Sequence, residues 1–95
     1  MIKEITISTP FYNEQEGLEN FFNTLLKIDN LKDKLLIKIK YLFIDDGSSD
    51  NTLKLLKNFK QKNSYLDIEI ISHNKNYGYG RTIKTSFINC KTDYL

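Results

Sequence analysis

Residues 37–50 read IKIKYLFIDDGSSD, and this stretch decides the fold. Its first eight residues are apolar, β-branched or aromatic apart from two lysines, which is typical of a strand buried on both faces. The strand is predicted to end at Ile44, because the acidic, glycine and serine residues that follow are typical of a turn. Ser48, Ser49 and Asp50 carry side chains that favour a helix start, so a helix is predicted directly after the turn.

Strand patterns also lie on either side of this stretch. Alternating apolar residues predict a first strand over about Lys3–Thr9, which Pro10 is expected to end. A third strand is predicted around Ile68–Ile71, where β-branched residues follow a polar segment. The beginning of a fourth strand is predicted at residues 93–95.

Apolar residues at helical spacing separate the strands. The first helix is predicted to begin with a capping box formed by Asn13 and Glu16, and to end before a loop at Asp29–Lys34. Strands that alternate with helices of this length favour βαβ units. The predicted fold class is therefore α/β: a Rossmann-like parallel sheet with helices on both faces.

Composition excludes several classes of function. The chain has 95 residues, of which 40% are hydrophobic, and this predicts one small domain. A net charge of +2 gives no basis for a nucleic-acid partner. A single cysteine excludes an internal disulfide and a cysteine-rich metal site. No apolar run is long enough to span a membrane and no secretory signal is visible, so a cytoplasmic protein is predicted.

Three polar segments follow the three predicted strands: Pro10–Glu14, Asp45–Asp50 and Ser72–Arg81. The carboxyl ends of parallel strands meet at one edge of a sheet, and ligands of such sheets bind there. The coincidence of the three segments predicts a binding site at this edge.

The acidic pair and the segment after the first strand suit a nucleoside. Asp45 and Asp46 repel each other unless a metal, hydrogen-bond donors or a helix N-terminus offsets their charge. A carboxylate here is suited to accept a hydrogen bond from a nucleobase imide, Tyr12 to stack on a base, and Glu14 to accept from a ribose or base. The alternative is an ordinary turn that leads into a capped helix.

The third segment has glycines and the single arginine of the chain. Gly78 and Gly80 permit a positive φ and a close backbone approach. Arg81 is expected in the first turn of a helix, where it suits a diphosphate. Taken alone, the segment favours a plain surface turn, and it has neither a Walker pattern nor a dinucleotide fingerprint. His73 alone is no ligand set, and no metal site is predicted within these residues.

Together the segments TPFYNE (residues 9–14), FIDDGSSDNT (43–52) and NYGYGRTIK (76–84) closely resemble the N-terminal part of family 2 glycosyltransferases. The third segment is similar to that of the polyprenyl-phosphate glycosyltransferases, such as dolichol-phosphate mannosyltransferase-like enzymes. The resemblance covers essentially the whole chain and implies the N-terminal half of a GT-A fold, truncated. Residues 1–95 would then be the donor-nucleotide-binding part of an incomplete glycosyltransferase domain.

The resemblance implies transfer of a sugar, with inversion, from a UDP- or GDP-linked donor to an acceptor. It implies a nucleotide-sugar site formed by Pro10, Tyr12, Glu14, Asp45, Asp46, Gly78, Gly80 and Arg81, in which the carboxylate of Asp46 binds the base. A membrane-associated acceptor and a position at the cytoplasmic membrane face are options for the full-length protein.

The family's metal-binding Asp-x-Asp motif and catalytic base have no counterpart in these residues. A divalent metal, Mg²⁺ or Mn²⁺, is therefore expected in the full-length parent and none within this chain, which is expected to be inactive alone. Self-association through an exposed edge of the first strand is also expected.

The rival interpretation is a receiver-like or non-catalytic α/β interaction module. A phospho-acceptor receiver would have its acidic pair after the first strand and an aspartate after the third. Here the pair follows the second strand, and His73 and Asn74 follow the third. This placement disfavours a receiver, whereas a module without a ligand is separated from the first interpretation by nucleotide titration.

Overall fold

The computed structural model describes residues 3–78, 80–81 and 83–85. The elements are β1 (Lys3–Phe11), a 3-10 turn (Gln15–Gly17), α1 (Leu18–Leu31), β2 (Ile37–Asp46), α2 (Thr52–Lys62) and β3 (Asp67–His73). Residues 80–81 and 83–85 are helical. The predicted alternation of strand and helix is confirmed, whereas the predicted fourth strand lies outside the described residues.

The three strands form a parallel sheet in the order β1-β2-β3. The register aligns their carboxyl ends, because Asp45 lies between Phe11 of β1 and Ser72 of β3. Asp46 pairs with His73, the last residue of β3. The end of the sheet formed by these residues and the loops that follow them is called the carboxyl edge below.

Helices cover both faces of the sheet, as predicted. Successive side chains of a strand point to opposite faces, and Tyr41 and Phe43 of β2 belong to the apolar cluster that both α1 and α2 complete. The rings of Phe22 in α1 and Phe59 in α2 stack with centroids 4.0 Å apart, so these helices lie side by side on one face. The helical residue Thr85 contacts His73 on the other face.

Burial explains why β2 has a continuous apolar run. Leu42, Phe43 and Ile44 are all completely buried although they point alternately to the two faces. Phe43 makes edge-to-face contacts with Phe11 and Phe21, at centroid distances of 5.5 and 5.7 Å. Such aromatic pairs stabilise a core by about 0.5–1.5 kcal/mol beyond the burial of area alone. The packing fixes the strand whose end carries the acidic pair.

The prediction that Pro10 ends the first strand is wrong. β1 continues through Pro10, which pairs with Ile44, to Phe11, which pairs with Asp45. The ring of proline fixes φ at a value that an extended chain accepts, and only the N–H is lost. The buried ring of Phe11 packs on Phe43 and holds the last residue of the strand in place.

The predicted capping box is also wrong. α1 begins at Leu18 after the 3-10 turn, and its first turn has no side-chain cap. Asn13 has a φ of +51° and uses its amide oxygen elsewhere, as a hydrogen-bond acceptor for the loop after β2. A contact with another loop therefore replaces the local contact with Glu16.

The predicted loop at Asp29–Lys34 begins too early, because α1 continues to Leu31. Asp29 is buried, accepts a hydrogen bond of 2.8 Å from the hydroxyl of Tyr41, and pairs with Lys32 at 3.1 Å. Burial and this contact with Asp29 raise the pKa of Tyr41 well above its usual value. A polar residue that looks like a loop residue in the sequence is thus part of a buried pair.

Within the part of the chain that the structure describes, no helix is both long and apolar enough to cross a bilayer. No contact of the described residues tests the expected self-association through the outer edge of β1. It stays a prediction, as does the assignment of residues 1–95 to a single incomplete domain.

Candidate functional site

The carboxyl edge brings together the three segments that the sequence singled out. Asp46 at the end of β2 contacts the loop after β3 through Tyr77 and Gly78. The loop after β1 contacts the loop after β2 through a hydrogen bond of 2.9 Å from the backbone N–H of Asn13 to Ser48. The predicted convergence of the segments is confirmed.

Asp46 is the centre of the carboxyl edge. Its Oδ1 accepts hydrogen bonds from Nδ1 of His73 at 2.7 Å and from the backbone N–H of Tyr77 at 3.0 Å, and its Oδ2 accepts one from the N–H of Gly78 at 2.8 Å. Burial raises the pKa of Asp46, but these hydrogen bonds outweigh it and hold the pKa below its ordinary value. The carboxylate is therefore ionised at neutral pH although it is only 4% exposed.

Asp45 points to the opposite face of the sheet and has its own donors. It is 2% exposed and accepts hydrogen bonds from both the backbone N–H and the hydroxyl of Ser48. The two adjacent acids are thus separated by the alternation of the strand. Of the three means expected to offset their repulsion, the described contacts supply hydrogen-bond donors, and none of these donors belongs to α2.

Gly47 allows the loop after β3 to reach Asp46. Its φ is +72°, and a Cβ at this position would lie 2.3 Å from the carbonyl carbon of Lys75 and 2.5 Å from the backbone nitrogen of Asn76. No side chain fits so close to another backbone. Glycine here is a requirement for close approach as well as for the turn, which the sequence pattern alone did not reveal.

The loops after β1 and β2 are joined by side chains that accept from backbone N–H groups. The amide oxygen of Asn13 accepts from Ser49 at 2.8 Å, and the hydroxyl of Thr52 accepts from Glu14 at 2.9 Å. The carboxylate of Asp50 accepts from the N–H and the hydroxyl of Thr52, and hydrogen bonding to Thr52 lowers the pKa of Asp50. The predicted N-cap is wrong in detail: the residue that precedes α2 is Asn51, which makes no side-chain cap hydrogen bond, and Asp50 instead contacts the first helical residue, Thr52.

Several exposed side chains lie on the outer surface of the loops after β1 and β2. Tyr12 is 44% exposed, and Pro10 and Glu14 are also exposed. Glu14 and Asp50 are among the residues that line a cavity of about 340 Å³. These residues lie next to the buried acidic pair but present their own surfaces to solvent, where a ligand can reach them.

The two glycines of the third segment differ. Gly78 adopts the positive φ that glycine permits, at +91°, whereas Gly80 is helical. No other atom lies within 4 Å of a Cβ built at either glycine, and the close approach that the two glycines permit stays a prediction. Arg81 lies in the helical segment as predicted, with its guanidinium carbon 4.9 Å from the ring centroid of Tyr77.

Reasoning from the sequence missed the roles of His73, Asn13, Ser48 and Gly47. The signal for His73 was the pairing of parallel strands, since aligning the ends of β2 and β3 places it beside Asp46. Asn13 and Ser48 act through contacts between loops that are 35 and 36 residues apart, and Gly47 lies against the backbone of Lys75 and Asn76 in the loop after β3. No local pattern carries such contacts.

The carboxyl edge does not fit a divalent metal. Within residues 3–78, 80–81 and 83–85, no group of three histidine, cysteine or acidic side chains is placed to hold one. Asp45 and Asp46 point away from each other, and each is already hydrogen bonded.

An open parallel sheet with a polar carboxyl edge belongs to the α/β folds whose ligands bind at that edge. The sequence model of Glycosyl transferase family 2 matches residues 6–95, and the chain belongs to this family. The fold is that of GT-A glycosyltransferases: a mannosyltransferase from Pyrobaculum calidifontis, solved in complex with GDP-Man and Mn²⁺, matches 96% of this chain with a TM-score of 0.80 at 18% identity.

Two curated relatives are similar over most of the chain. A processive diacylglycerol beta-glycosyltransferase of Mycoplasma genitalium is 33% identical over 97% of this chain, and a dolichyl-phosphate beta-glucosyltransferase of Dictyostelium discoideum is 30% identical over 95%. The chain spans 25% and 28% of the length of these relatives and 25% of the mannosyltransferase.

Proposed function

We propose that this chain is the donor-nucleotide-binding part of a glycosyltransferase that transfers a sugar, with inversion, from a UDP- or GDP-linked donor to an acceptor. Membership of the family supports the transfer, and the GDP-Man in the related mannosyltransferase supports a nucleotide-sugar donor. The observation that carries the proposal is that the three loop segments meet at the carboxyl edge: the loop after β3 contacts Asp46, and the loop after β1 contacts the loop after β2.

Asp46 is proposed to recognise the base. A carboxylate has about four acceptor positions, and three are filled by His73, Tyr77 and Gly78. The remaining position on Oδ2 is proposed to accept the ring N–H of uracil or guanine. Because the pKa of Asp46 is lowered, the acceptor is available throughout the neutral range.

The exposed residues around Asp46 are proposed to hold the rest of the nucleotide. Tyr12 offers an aromatic face for the base, and Glu14 an acceptor for the ribose. Arg81 and the adjacent helical segment are proposed to meet the diphosphate. Pro10 and Asp45 are proposed to support the same pocket, with Gly78 and Gly80 beside the nucleotide.

The catalytic metal is proposed to bind elsewhere in the full-length parent, as Mg²⁺ or Mn²⁺. The related mannosyltransferase contains Mn²⁺, whereas the described residues of the carboxyl edge include no group of three histidine, cysteine or acidic side chains placed to hold a metal. A lipid acceptor at the cytoplasmic face of the membrane is proposed for the parent. Its support is the names of the relatives, which act on diacylglycerol and dolichyl phosphate.

Titration with four nucleoside diphosphates, followed by NMR chemical shifts, tests the proposal. Uracil and guanine have a ring N–H beside a carbonyl, whereas adenine and cytosine lack it. UDP or GDP should bind with a Kd of about 0.1–1 mM, or roughly −4 to −5.5 kcal/mol. ADP and CDP should bind about tenfold more weakly, because an unprotonated ring nitrogen with its lone pair then faces the carboxylate of Asp46 in place of a ring N–H.

Two tyrosine variants provide the matched control. Tyr12→Ala should weaken binding of the preferred diphosphate severalfold, because base stacking on an aromatic ring stabilises a complex by about 1–3 kcal/mol. Tyr65→Ala removes another exposed tyrosine ring just before β3, at the opposite end of the sheet, and should leave binding unchanged. Equal binding of all four diphosphates would show that Asp46 does not read the base. Absence of binding by all of them would leave only a non-catalytic interaction module.

A further inference from the structure

One stretch of the chain carries positive charge without any negative charge. Residues 51–66 contain four lysines and no acidic residue, although the whole chain has a net charge of only +2. Three of these lysines follow one another at three-residue spacing in α2, where such residues are neighbours on the helix surface. All three are exposed, and together they are called the lysine row below: Lys54, Lys57 and Lys60.

The charge of the lysine row is not neutralised within the part of the chain that the structure describes. No member of the row forms an ion pair with another described residue, and the lysines paired with Asp29 and Glu69 belong to other elements. The acidic residue nearest to the start of α2 is Asp50, whose carboxylate accepts from the N–H and the hydroxyl of Thr52. The ammonium groups of the row therefore face solvent.

A groove of about 640 Å³ lies beside the lysine row, between α2 and β3. Lys57 and Lys60 line it from the helix, and Leu66 and Ile70 line it from the segment that enters and forms β3. Leu66 is buried and Ile70 packs against the apolar cluster, whereas both lysines are exposed. The groove thus has apolar side chains at its base and cations at its rim. It is called the α2–β3 groove below.

This combination suits an amphiphile with a negatively charged headgroup. Ammonium groups at the rim attract a phosphate as point charges, and the apolar base is covered when the glycerol and acyl part of a lipid lies on it. A free phosphate would leave the base in contact with water. The described lining has no arginine and no aromatic ring on which a nucleic-acid base can stack.

We propose that the lysine row and the α2–β3 groove form a docking surface for an anionic phospholipid bilayer, with one lipid headgroup seated in the groove. Clusters of at least four basic residues on an amphipathic helix are typical of surfaces that anionic lipids attract, and α2 carries four lysines. The proposal stands on charge and on the groove, and it needs no nucleotide site.

The position of α2 gives this surface a consequence for the carboxyl edge. The helix begins at Thr52, whose hydroxyl accepts from the backbone N–H of Glu14 in the loop after β1. A bilayer that contacts the lysine row therefore lies along a helix whose first residue is part of the carboxyl edge. That this brings a donor nucleotide beside the membrane rests on the proposed function.

The first measurement is co-sedimentation of the 95-residue chain with lipid vesicles. The chain should sediment with vesicles of equal parts phosphatidylglycerol and phosphatidylcholine, and should stay in solution with phosphatidylcholine alone. Added salt should weaken the binding, because it screens charges at the membrane surface. Equal binding to both kinds of vesicle, or binding to neither, would overturn the proposal.

Two triple variants with the same loss of charge locate the surface. The row variant carries Lys54→Gln, Lys57→Gln and Lys60→Gln. The control variant changes exposed lysines outside α2 and outside the groove, and carries Lys27→Gln, Lys34→Gln and Lys38→Gln. The row variant should bind anionic vesicles about 100-fold more weakly, at about fivefold for each lysine near the surface. The control variant should lose less than tenfold. Equal losses would mean that only net charge matters, and the proposal would be wrong.

The second measurement uses the unaltered chain and finds the seat of the headgroup by NMR. Short-chain phosphatidylglycerol, below the concentration at which it forms micelles, should shift the amide signals of Leu66 and Ile70. Glycerophosphoglycerol, the same headgroup without acyl chains, should shift them far less. Equal shifts with both compounds would indicate a site for a soluble anion. Shifts at the exposed Leu35 and Leu36 in place of the groove would put the lipid contact elsewhere. Either result contradicts the proposal.

Two other occupants of the surface are outcomes of the same experiments. Duplex DNA that binds more tightly than the anionic vesicles, and that the row variant no longer binds, would make the row a nucleic-acid surface. Self-association that the row variant loses, without any vesicle binding, would make it an interface between copies of the chain. Both outcomes overturn the proposal. None of them affects the nucleotide titration, which is done without lipid, so failure of this proposal and failure of the proposed function are distinguishable.

Discussion

Replacing Gly47 by alanine should lower the free energy of unfolding by about 3–5 kcal/mol. The φ of +72° contributes about 1–2 kcal/mol, because an L-residue is strained in the left-handed region. The new Cβ would lie 2.3 Å from the carbonyl carbon of Lys75, so the backbone of the loop after β3 must move. That movement weakens the hydrogen bonds from Tyr77 and Gly78 to Asp46. Bonds to a charged group are worth about 1.5–3 kcal/mol each.

Two other glycines divide this effect into its parts. Gly78→Ala introduces a side chain at a φ of +91° with no atom within 4 Å, so it should cost only the backbone strain of about 1–2 kcal/mol. Gly80→Ala places alanine in a helical segment with open space around it, and should stabilise the chain by about 0.5–1 kcal/mol. Urea unfolding followed by circular dichroism measures all three.

The order of the three variants is the test. A domain of this size has a free energy of unfolding of about 5–14 kcal/mol, so the loss expected for Gly47→Ala is a large fraction of it. If Gly47→Ala is no more destabilising than Gly78→Ala, the backbone of Lys75 and Asn76 does not lie against Gly47. The close approach of the loop after β3 to Asp46 would then not depend on the missing side chain of Gly47.

Three further outcomes are expected. Leu36 has a φ of +54° and is 67% exposed, so Leu36→Asn should raise the unfolding free energy by about 0.5–1 kcal/mol, whereas Leu35→Asn, at 64% exposure and without a positive φ, should not. The pKa of Asp46 is lowered in the folded chain. Its contribution to stability is therefore present above its unfolded pKa of about 3.9 and is lost as the pH falls through its folded pKa. In thermal melts at a series of acidic pH values, the melting temperature of Asp46→Asn should depend less on pH than that of the wild type. The 95-residue chain should transfer no sugar with Mg²⁺ or Mn²⁺ present, because these residues contain no counterpart of the family's metal-binding motif or catalytic base. Electrostatic stabilisation by the metal and general-base catalysis each raise the rate about 10²-fold or more. Metal-dependent turnover in a radiolabel assay would contradict this.

The strands and the carboxyl edge were predictable from the sequence. A strand is marked by a local apolar pattern, and the position of the edge follows from the parallel topology. The apolar run from Ile37 to Ile44 marks a strand buried on both faces, and parallel pairing then brings the loop segments together. The ends of elements were less predictable. Asn13 and Asp29 look like cap and loop residues, but each is used by a partner distant in sequence, Ser49 and Tyr41.

The inside of the candidate site was predictable only in part. The types of residue around Asp46 were recognisable from the motifs, but the donors that hold its carboxylate come from a loop about 30 residues away. Nothing in the local sequence distinguishes Gly47, which must lack a side chain, from Gly80, which has room for one. Steric exclusion of this kind becomes visible only when two backbones are placed side by side.

The order of the strands has a consequence for biosynthesis. Each strand pairs with the one synthesised just before it, and paired residues are about 30 positions apart, as in Lys3 with Ile37 and Lys40 with Asp67. Chains emerge from the ribosome from the N-terminus onward, and the entropy of loop closure grows only slowly with loop length. Among the described strands, β2 and β3 therefore each find their neighbour already outside the exit tunnel. The pairing of these two strands can advance as the chain elongates.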